Sequence, residues 1–152
     1  MHPLLLYDGV CGLCNRLVQF ILRRDPGGIL RFASLQSPLA GRILARHSRD
    51  ASDLDTVYIV INCDQPDEQL LPRSDAVVFI LRHLGEAAVP AQATPTSGSL
   101  VWRAAGFLLQ LVPRWVRDWG YRVVARSRYR IFGRYDTCPV PSEDTRWRFL
   151  DL

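Results

Sequence analysis

Two cysteines, Cys11 and Cys14, are the residues whose type and spacing most directly indicate chemistry. A Cys-x-x-Cys spacing holds two sulfurs close enough to bond, so that one thiol attacks a disulfide and the other resolves the mixed disulfide. The same spacing can supply half of a tetrahedral zinc site, which Cys63 and Cys138 would complete. We favour the redox interpretation because structural zinc sites normally use two close pairs, and these last two cysteines are far apart in the sequence.

The sequence around the cysteines predicts a strand, a turn and a helix, in that order. The apolar run Leu4–Leu6 is typical of a buried strand, and Gly9 follows in a turn. Beyond Cys14, apolar residues recur at helical spacing, at Leu17, Val18, Ile21 and Leu22. Cys11 is then placed at or just outside the first turn, where free backbone N–H groups lower a thiol pKa from about 8.5 to roughly 3.5–7.5. We therefore predict Cys11 as the nucleophile and Cys14 as the resolving thiol.

Asp8 is a third candidate, since it lies three residues before Cys11 at the predicted end of the strand. A partly buried carboxylate there could accept or return the proton of Cys14. It could equally hold the strand-to-helix corner as a turn or capping aspartate, and the two roles are compatible. A carboxylate near Cys11 would raise the pKa of that thiol and so oppose the helix terminus.

Further elements are predicted in the first 85 residues. They are a strand at 29–33, a helix capped by Ser37 and running to about His47, a strand at Thr56–Asn62, a returning strand at Glu68–Leu71, and a helix from Asp75 to Leu84 ended by Gly85. The first strand, helix and second strand favour a right-handed parallel crossover. The whole order closely resembles the thioredoxin fold in its compact, glutaredoxin-like form. We expect an α/β fold with a four-stranded mixed sheet and flanking helices.

The remainder of the chain differs in character. Residues 86–98 are rich in Ala, Pro, Thr and Ser and predict a linker or loop. Helices are predicted at Ser99–Leu111 and from Pro113 to about Ile131. We therefore expect a core at 1–85 and an Arg/Trp-rich helical C-terminal extension at 99–152, packed on that core as a single domain overall.

The C-terminal helices are strongly basic and aromatic. Between Val101 and Arg134 there are eight arginines against one acid, Asp118, with tryptophans and tyrosines interleaved. These helices could cover the sheet, which we favour, or contact an anionic membrane surface or a membrane protein. In the second case the chain would be a non-catalytic binding or adaptor module. Nucleic-acid binding is not expected, because no base-reading motif accompanies the charge.

The composition is that of an ordinary globular protein. The net charge is +4, 48% of the residues are hydrophobic, and no apolar run approaches the length of a transmembrane helix. The N-terminal residues lack the pattern of a signal peptide. We expect a cytoplasmic, reducing location, where a Cys-x-x-Cys pair is more often catalytic or metal-binding than a structural bridge.

An Asp-x-x-Cys-x-x-Cys motif opens an ordered set of residues that extends over nearly the whole chain. The set comprises Asp8–Asn15, Ser74–Ala76, Pro113, Arg117–Asp118, Tyr121, Arg128–Tyr129, Phe132–Gly133, Cys138 and Arg148–Leu150. In these residues the chain resembles the DCC family of thiol-disulfide oxidoreductases, which is named for this motif. The resemblance implies a thioredoxin-like fold and a redox role. From the dithiol itself we expect a protein or small-molecule thiol or disulfide substrate and a thiol reductant, with no bound organic cofactor or metal.

The resemblance also indicates candidate residues around the dithiol. Thioredoxin-like proteins usually bind substrate beside a cis-proline; here Val57 falls beside that place and Tyr58 stands where the proline would be. The family pattern suggests that Arg128–Tyr129 and Phe132–Gly133 line the dithiol cleft. It also raises the possibility that Cys138 is a third thiol able to reach the pair, the alternative being a small buried residue that pins the tail.

Overall fold

A computed structural model describes residues 2–50, 54–87, 97–136 and 141–150 of the chain. Its strands are β1 (Leu4–Tyr7), β2 (Arg31–Ser34), β3 (Tyr58–Ile61) and β4 (Gln69–Pro72). Its helices are α1 (Gly12–Arg24), α2 (Pro38–Arg46), α3 (Arg73–Ala87), α4 (Ser97–Leu111), α5 (Arg114–Phe132) and α6 (Glu143–Arg146). The short helix α6 was not expected from the sequence.

The four strands form one open sheet in the order β2-β1-β3-β4. Strand β1 is parallel to β2 and antiparallel to β3, and β4 is antiparallel to β3. Helix α1 connects the two parallel strands, as in a crossover unit. The predicted α/β class and the four-stranded mixed sheet are confirmed, and the architecture is that of a thioredoxin-like fold.

Side-chain alternation along the strands separates two buried layers. In β1, Leu5 and Tyr7 contribute to a first layer that includes residues of α1 and α3. Leu4 and Leu6 point to the other face and contribute to a second layer that includes residues of α2. The cysteine pair at the start of α1 belongs to the first layer, so the sheet separates it from α2.

Strand β2 begins two residues later than predicted. The carboxylate of Asp25, which is buried, accepts hydrogen bonds from the backbone N–H groups of Ile29 and Leu30, each at 3.0 Å. These two residues are therefore tied to the turn after α1 and join the sheet only from Arg31 onward.

Helix α3 is longer than the predicted segment at both ends. It begins at Arg73 and continues to Ala87, so Gly85 does not end it. Helix α4 begins at Ser97, two residues before the predicted start. Both helices thus extend into the expected linker at 86–98, whose residues 88–96 lie outside the described part of the chain. The division into core, linker and extension stays a prediction.

The C-terminal tail is anchored along β2. Phe32 exchanges backbone hydrogen bonds with Arg148 and Leu150, at 2.9 and 2.8 Å, and its ring stacks on that of Phe149. The buried guanidinium of Arg148 pairs with Asp25 and donates to backbone carbonyls beside it. An ion pair in the core therefore connects the tail to the turn after α1.

Helices α4 and α5 pack on α3 and α1. The ring of Trp102 in α4 meets Phe20 of α1 edge to face at 5.1 Å. At the start of α5, Arg114 and Arg117 both pair with Asp75 of α3. Among the described residues, no helix is both long and apolar enough to cross a membrane.

Candidate active site at the start of helix α1

The two cysteines lie at the N-terminus of α1. Cys11 is the N-cap residue with extended backbone angles, and Cys14 follows in the first turn. They lie 3.6 Å from each other. Both are nearly inaccessible to solvent, with 0% of Cys11 and 4% of Cys14 exposed. The structure thus brings the predicted pair together, but within the first buried layer rather than at an open surface.

The environment of the pair makes the two thiols unequal. A hydrogen bond from the Cys14 thiol is the largest of the causes that together lower the pKa of Cys11 from 9.0 to about 6. Burial opposes this shift, while the backbone N–H groups of Cys14 and Leu13 and the positive charge of Arg128 add to it. The same side-chain hydrogen bond, with burial, raises the pKa of Cys14 far above its ordinary range. At neutral pH the pair is therefore a Cys11 thiolate beside a Cys14 thiol.

Asp8 is completely buried and its carboxylate accepts four hydrogen bonds. Oδ1 accepts from the backbone N–H of Val10 at 3.1 Å and from Nε2 of Gln36 at 2.8 Å. Oδ2 accepts from Nη2 of Arg128 at 3.1 Å and from the hydroxyl of Tyr129. Because four donors occupy its two oxygens, this geometry favours the corner-holding role over proton exchange with Cys14.

Arg128 and Tyr129, near the end of α5, converge on the same corner. Only 2% of Arg128 is exposed, and its Nη2 also contacts the Tyr129 hydroxyl at 2.9 Å and the Asp55 carboxylate at 3.2 Å. Burial and the hydrogen bond to Asp8 raise the pKa of Tyr129 to about 12, so that its phenol stays protonated. The Nε of Arg128 is buried without a hydrogen-bond partner in the described part of the chain.

The backbone at the end of α5 covers Cys11. The N–H of Gly12 donates to the Gly133 carbonyl at 3.1 Å, and the N–H of Tyr135 donates to the Val10 carbonyl at 2.8 Å. A β-bridge pairs Cys11 with Arg134. This cover explains the burial of Cys11. It includes Gly133, and the family pattern suggested that Phe132–Gly133 line the dithiol cleft.

Of the two residues predicted beside the cis-proline position, only Val57 lies at the site. Val57 borders a cavity that Cys14 also lines, and its backbone N–H donates to the hydroxyl of Tyr121 at 2.9 Å. The side chain of Tyr58, by contrast, packs in the second layer, across the sheet from the dithiol. Tyr58 as a substrate-binding residue stays a prediction that would involve its backbone, because neighbouring side chains of a strand face opposite ways.

Two site residues had no role assigned from the sequence. Gln36 bridges the corner, since its Nε2 donates to Asp8 and its Oε1 accepts from the N–H of Gly9 at 3.1 Å. No local pattern marks Gln36. Tyr121 is one of the residues that carry the family resemblance, and this resemblance is the sequence signal that could have indicated its place at the site.

Cys63, the remaining cysteine of the described residues, lies away from the pair. Cys63 packs against the second layer, on the far side of the sheet from Cys11. Its sulfur and the carboxylates of Asp64 and Glu68 lie within 4.8 Å of one another, but Glu68 is already paired with Arg46 and His47. Cys138 lies outside the described residues, so its predicted role as a third thiol stays a prediction.

Comparison with known proteins agrees with the resemblance seen in the motif. The family model for DCC1-like thiol-disulfide oxidoreductases matches residues 5–134. The uncharacterized protein YuxK of Bacillus subtilis (strain 168) is 35% identical over 149 residues, which is 98% of this chain and 94% of that protein. A DCC family protein of Arabidopsis thaliana, described as chloroplastic, is 34% identical over 139 residues, 91% of this chain and 70% of its own length. No solved structure matches the chain significantly. The chain therefore belongs to the DCC1-like thiol-disulfide oxidoreductase family.

Proposed function

We propose that the protein is a thiol-disulfide oxidoreductase in which Cys11 is the nucleophile and Cys14 the resolving thiol. The observation that carries this proposal is the difference in pKa between the two thiols at the start of α1. Cys11 has a pKa of about 6 and Cys14 a pKa far above its ordinary range, 3.6 Å away. A thiolate attacks a disulfide and a thiol does not, so the first step falls to Cys11.

In the reducing direction, the Cys11 thiolate attacks one sulfur of a substrate disulfide. A Cys11–substrate bond forms, the substrate S–S bond breaks, and the leaving thiolate takes a proton from solvent. Cys14 then attacks the sulfur of Cys11, and its proton passes to the substrate sulfur that leaves. The second substrate thiol leaves, and the protein retains a Cys11–Cys14 disulfide, having given up two electrons. A thiol reductant restores the dithiol by the same exchange in reverse.

Three residues position this chemistry. Arg128 places a buried positive charge near both sulfurs and stabilises the thiolate, while Asp8 and Tyr129 hold its guanidinium. The exchange requires no organic cofactor, because the two sulfurs carry both electrons. The predicted cytoplasmic location belongs to the same proposal, since a reducing compartment would keep the dithiol reduced.

A redox titration tests the proposal. The protein is equilibrated in glutathione or dithiothreitol buffers of stepped potential, free thiols are alkylated, and each cysteine is followed by mass spectrometry. We expect Cys11 and Cys14 to be protected together in one two-electron transition, with Cys63 alkylated throughout. The same measurement reports whether Cys138 joins the pair. Independent titration of Cys11 and Cys14, with no bond between them, would overturn the proposal.

A second candidate function is a binding module that docks on an anionic bilayer. Large exposed apolar side chains concentrate on α4 and α5, at Leu100, Val101, Phe107, Leu108, Leu111, Trp115, Trp119, Val123, Val124 and Ile131. Exposed arginines lie between them, among which are Arg103, Arg122 and Arg126. Apolar anchors with interspersed cations complement a membrane surface that carries anionic headgroups.

Co-sedimentation with vesicles separates the two candidates. A variant with glutamine at Arg103, Arg122 and Arg126 is compared with Cys11→Ser on vesicles with and without phosphatidylglycerol. Binding to anionic vesicles that depends on the arginines and not on Cys11 would support the docking module. Equal recovery of all proteins in the supernatant would contradict it.

A further inference from the structure

A cavity of about 310 Å³ lies beside the dithiol, between α1, α3, α4 and α5. Cys14 forms part of its wall. Apolar side chains make up most of the rest, among them Leu13, Leu17, Val57, Leu109 and Val124. We propose that this cavity binds the hydrocarbon group of an apolar disulfide substrate; the proposal rests on the redox function given above and specifies its substrate class.

The polar groups of the cavity wall are already engaged, apart from one. Ser74 is hydrogen-bonded to Asp118, and Arg117 is paired with Asp75. Arg128 also lines the cavity, and its buried Nε has no hydrogen-bond partner among the described residues. A ligand for this site is therefore mainly hydrocarbon, with one electron-rich group near the guanidinium. A disulfide that becomes a leaving thiolate has this character.

The position of the cavity fits a substrate role. Cys14 is in its wall and Cys11 lies 3.6 Å from Cys14, so an alkyl group seated there places its disulfide beside the pair. The backbone at Gly133–Tyr135 covers Cys11 itself, with hydrogen bonds to Gly12 and Val10 on either side of it. A charged disulfide such as glutathione disulfide would have to lose hydration from its carboxylates and ammonium groups in this apolar space, which disfavours it.

A matched pair of substrates tests the preference. Dipropyl disulfide and bis(2-hydroxyethyl) disulfide have nearly the same size and differ by a methyl in place of each hydroxyl. Reduced full-length protein is mixed with each, and formation of the Cys11–Cys14 disulfide is followed by quenched alkylation. The ratio of the two rate constants is divided by the ratio that dithiothreitol gives with the same two disulfides in solution. The result is the corrected ratio. We expect the corrected ratio to favour dipropyl disulfide at least tenfold. Along the series diethyl, dipropyl and dibutyl disulfide, the corrected rate constant should rise by up to about fourfold per methylene.

Gly120 allows the cavity to be filled without disturbing the backbone. It lines the cavity on α5, and a Cβ built there meets nothing within 4 Å. Gly120→Leu is expected to reduce the corrected ratio to near one. Gly41→Leu is the matched control, because Gly41 also lies in a helix with nothing within 4 Å of its Cβ, and α2 is on the other face of the sheet. It should keep the wild-type ratio. Thermal melts by circular dichroism verify that both variants fold.

Binding without chemistry gives a second measurement. In a Cys11→Ser, Cys14→Ser protein, dipropyl disulfide should displace the neutral apolar dye 1-aminoanthracene, and adding Gly120→Leu should weaken that displacement at least tenfold. Equal corrected rates for the two disulfides, or displacement unaffected by Gly120→Leu, would overturn the apolar site while leaving the redox function intact. A wild-type dithiol that reacts with neither disulfide would instead contradict the redox function and, with it, the substrate class.

Discussion

Arg128 Nη2 lies 3.1 Å from Asp8 Oδ2, and this contact joins the end of α5 to the corner that precedes the dithiol. Both side chains are buried, with 2% and 0% exposed. The pair fixes a positive charge that helps to lower the pKa of Cys11 and partly opposes the rise in the pKa of Cys14. The guanidinium therefore has two effects that can be measured separately, on the thiolate and on stability.

Replacing Arg128 by glutamine should raise the pKa of Cys11, because the neutral side chain no longer stabilises the thiolate. The measurement is the pH dependence of Cys11 alkylation by iodoacetamide, whose midpoint near pH 6 should move upward. Arg128→Lys keeps the charge and should retain a midpoint closer to the wild-type value. Unfolding in urea should also show a loss of about 3–5 kcal/mol for Arg128→Gln, since Asp8 is left buried without its ion partner. An unchanged alkylation midpoint in a folded Arg128→Gln protein would contradict the electrostatic role.

The reduced protein should become more stable as the pH rises from about 6 to about 9. In this window native Cys11 has lost its proton, with a pKa of about 6, whereas the unfolded thiol keeps it until about its ordinary 9.0. The unfolded state then binds more protons, so the free energy of unfolding rises by at most about 1.4 kcal/mol per pH unit. Below pH 6 the contribution is absent. Above pH 9 stability should fall, because native Cys14 retains a proton that the unfolded chain releases.

Urea unfolding at several pH values, with a non-thiol reductant present, measures this dependence. Other titrating groups also contribute, so the informative quantity is the difference between wild type and Cys11→Ser. The serine variant lacks the ionising sulfur and should not show the additional rise. A difference that stays constant between pH 6 and pH 9 would rule out a strongly lowered pKa at Cys11.

The dithiol and its helix could be predicted from sequence because both depend on local spacing. Cys11 at the N-cap and the apolar stripe of α1 follow from residues within two or three turns of each other. The contacts that complete the site are not local. Asp8 meets Arg128 and Tyr129 from more than a hundred residues away, and Val57, just before β3, meets Tyr121 of α5.

Local rules failed where a distant or non-neighbouring group decided the structure. The start of β2 is set by hydrogen bonds from Ile29 and Leu30 to the Asp25 carboxylate. Strand propensity does not take such contacts into account. The analogy with a cis-proline position suggested Tyr58 as a neighbour of the dithiol, although strand alternation directs its side chain into the second layer. The burial of Cys11 depends on the backbone after α5, which no motif around the cysteines indicates.

Removing the hydroxyl of Tyr121 should destabilise the protein through Val57. The phenol oxygen accepts the Val57 N–H at 2.9 Å, and burial raises the pKa of Tyr121 to about 12, so the group remains a neutral acceptor. In Tyr121→Phe this buried N–H loses its partner, at a cost of about 1–3 kcal/mol in the free energy of unfolding. Tyr135→Phe alters an exposed side chain and should stay within about 0.5 kcal/mol of wild type. Equal stability of the two variants would show that Val57 finds another acceptor.

Gly12 within the dithiol motif should tolerate no side chain, because the backbone that follows α5 lies directly against it. A Cβ on Gly12 would overlap the carbonyl oxygen of Phe132, which is backbone and cannot rotate away. Gly12→Ala must therefore separate α1 from the covering segment, breaking the hydrogen bond from Gly12 to Gly133. We expect a loss of at least about 2 kcal/mol by urea unfolding, together with faster alkylation of Cys11 as its cover loosens.

Gly41→Ala provides the matched control for this substitution. Gly41 also lies in a helix, and a Cβ there meets nothing within 4 Å, so alanine should stabilise the protein by up to about 1 kcal/mol through helix propensity alone. Its Cys11 alkylation rate should equal that of wild type, because α2 lies on the other face of the sheet. If Gly12→Ala were as stable as Gly41→Ala and left Cys11 equally protected, the close contact between the motif and the end of α5 would not exist in solution.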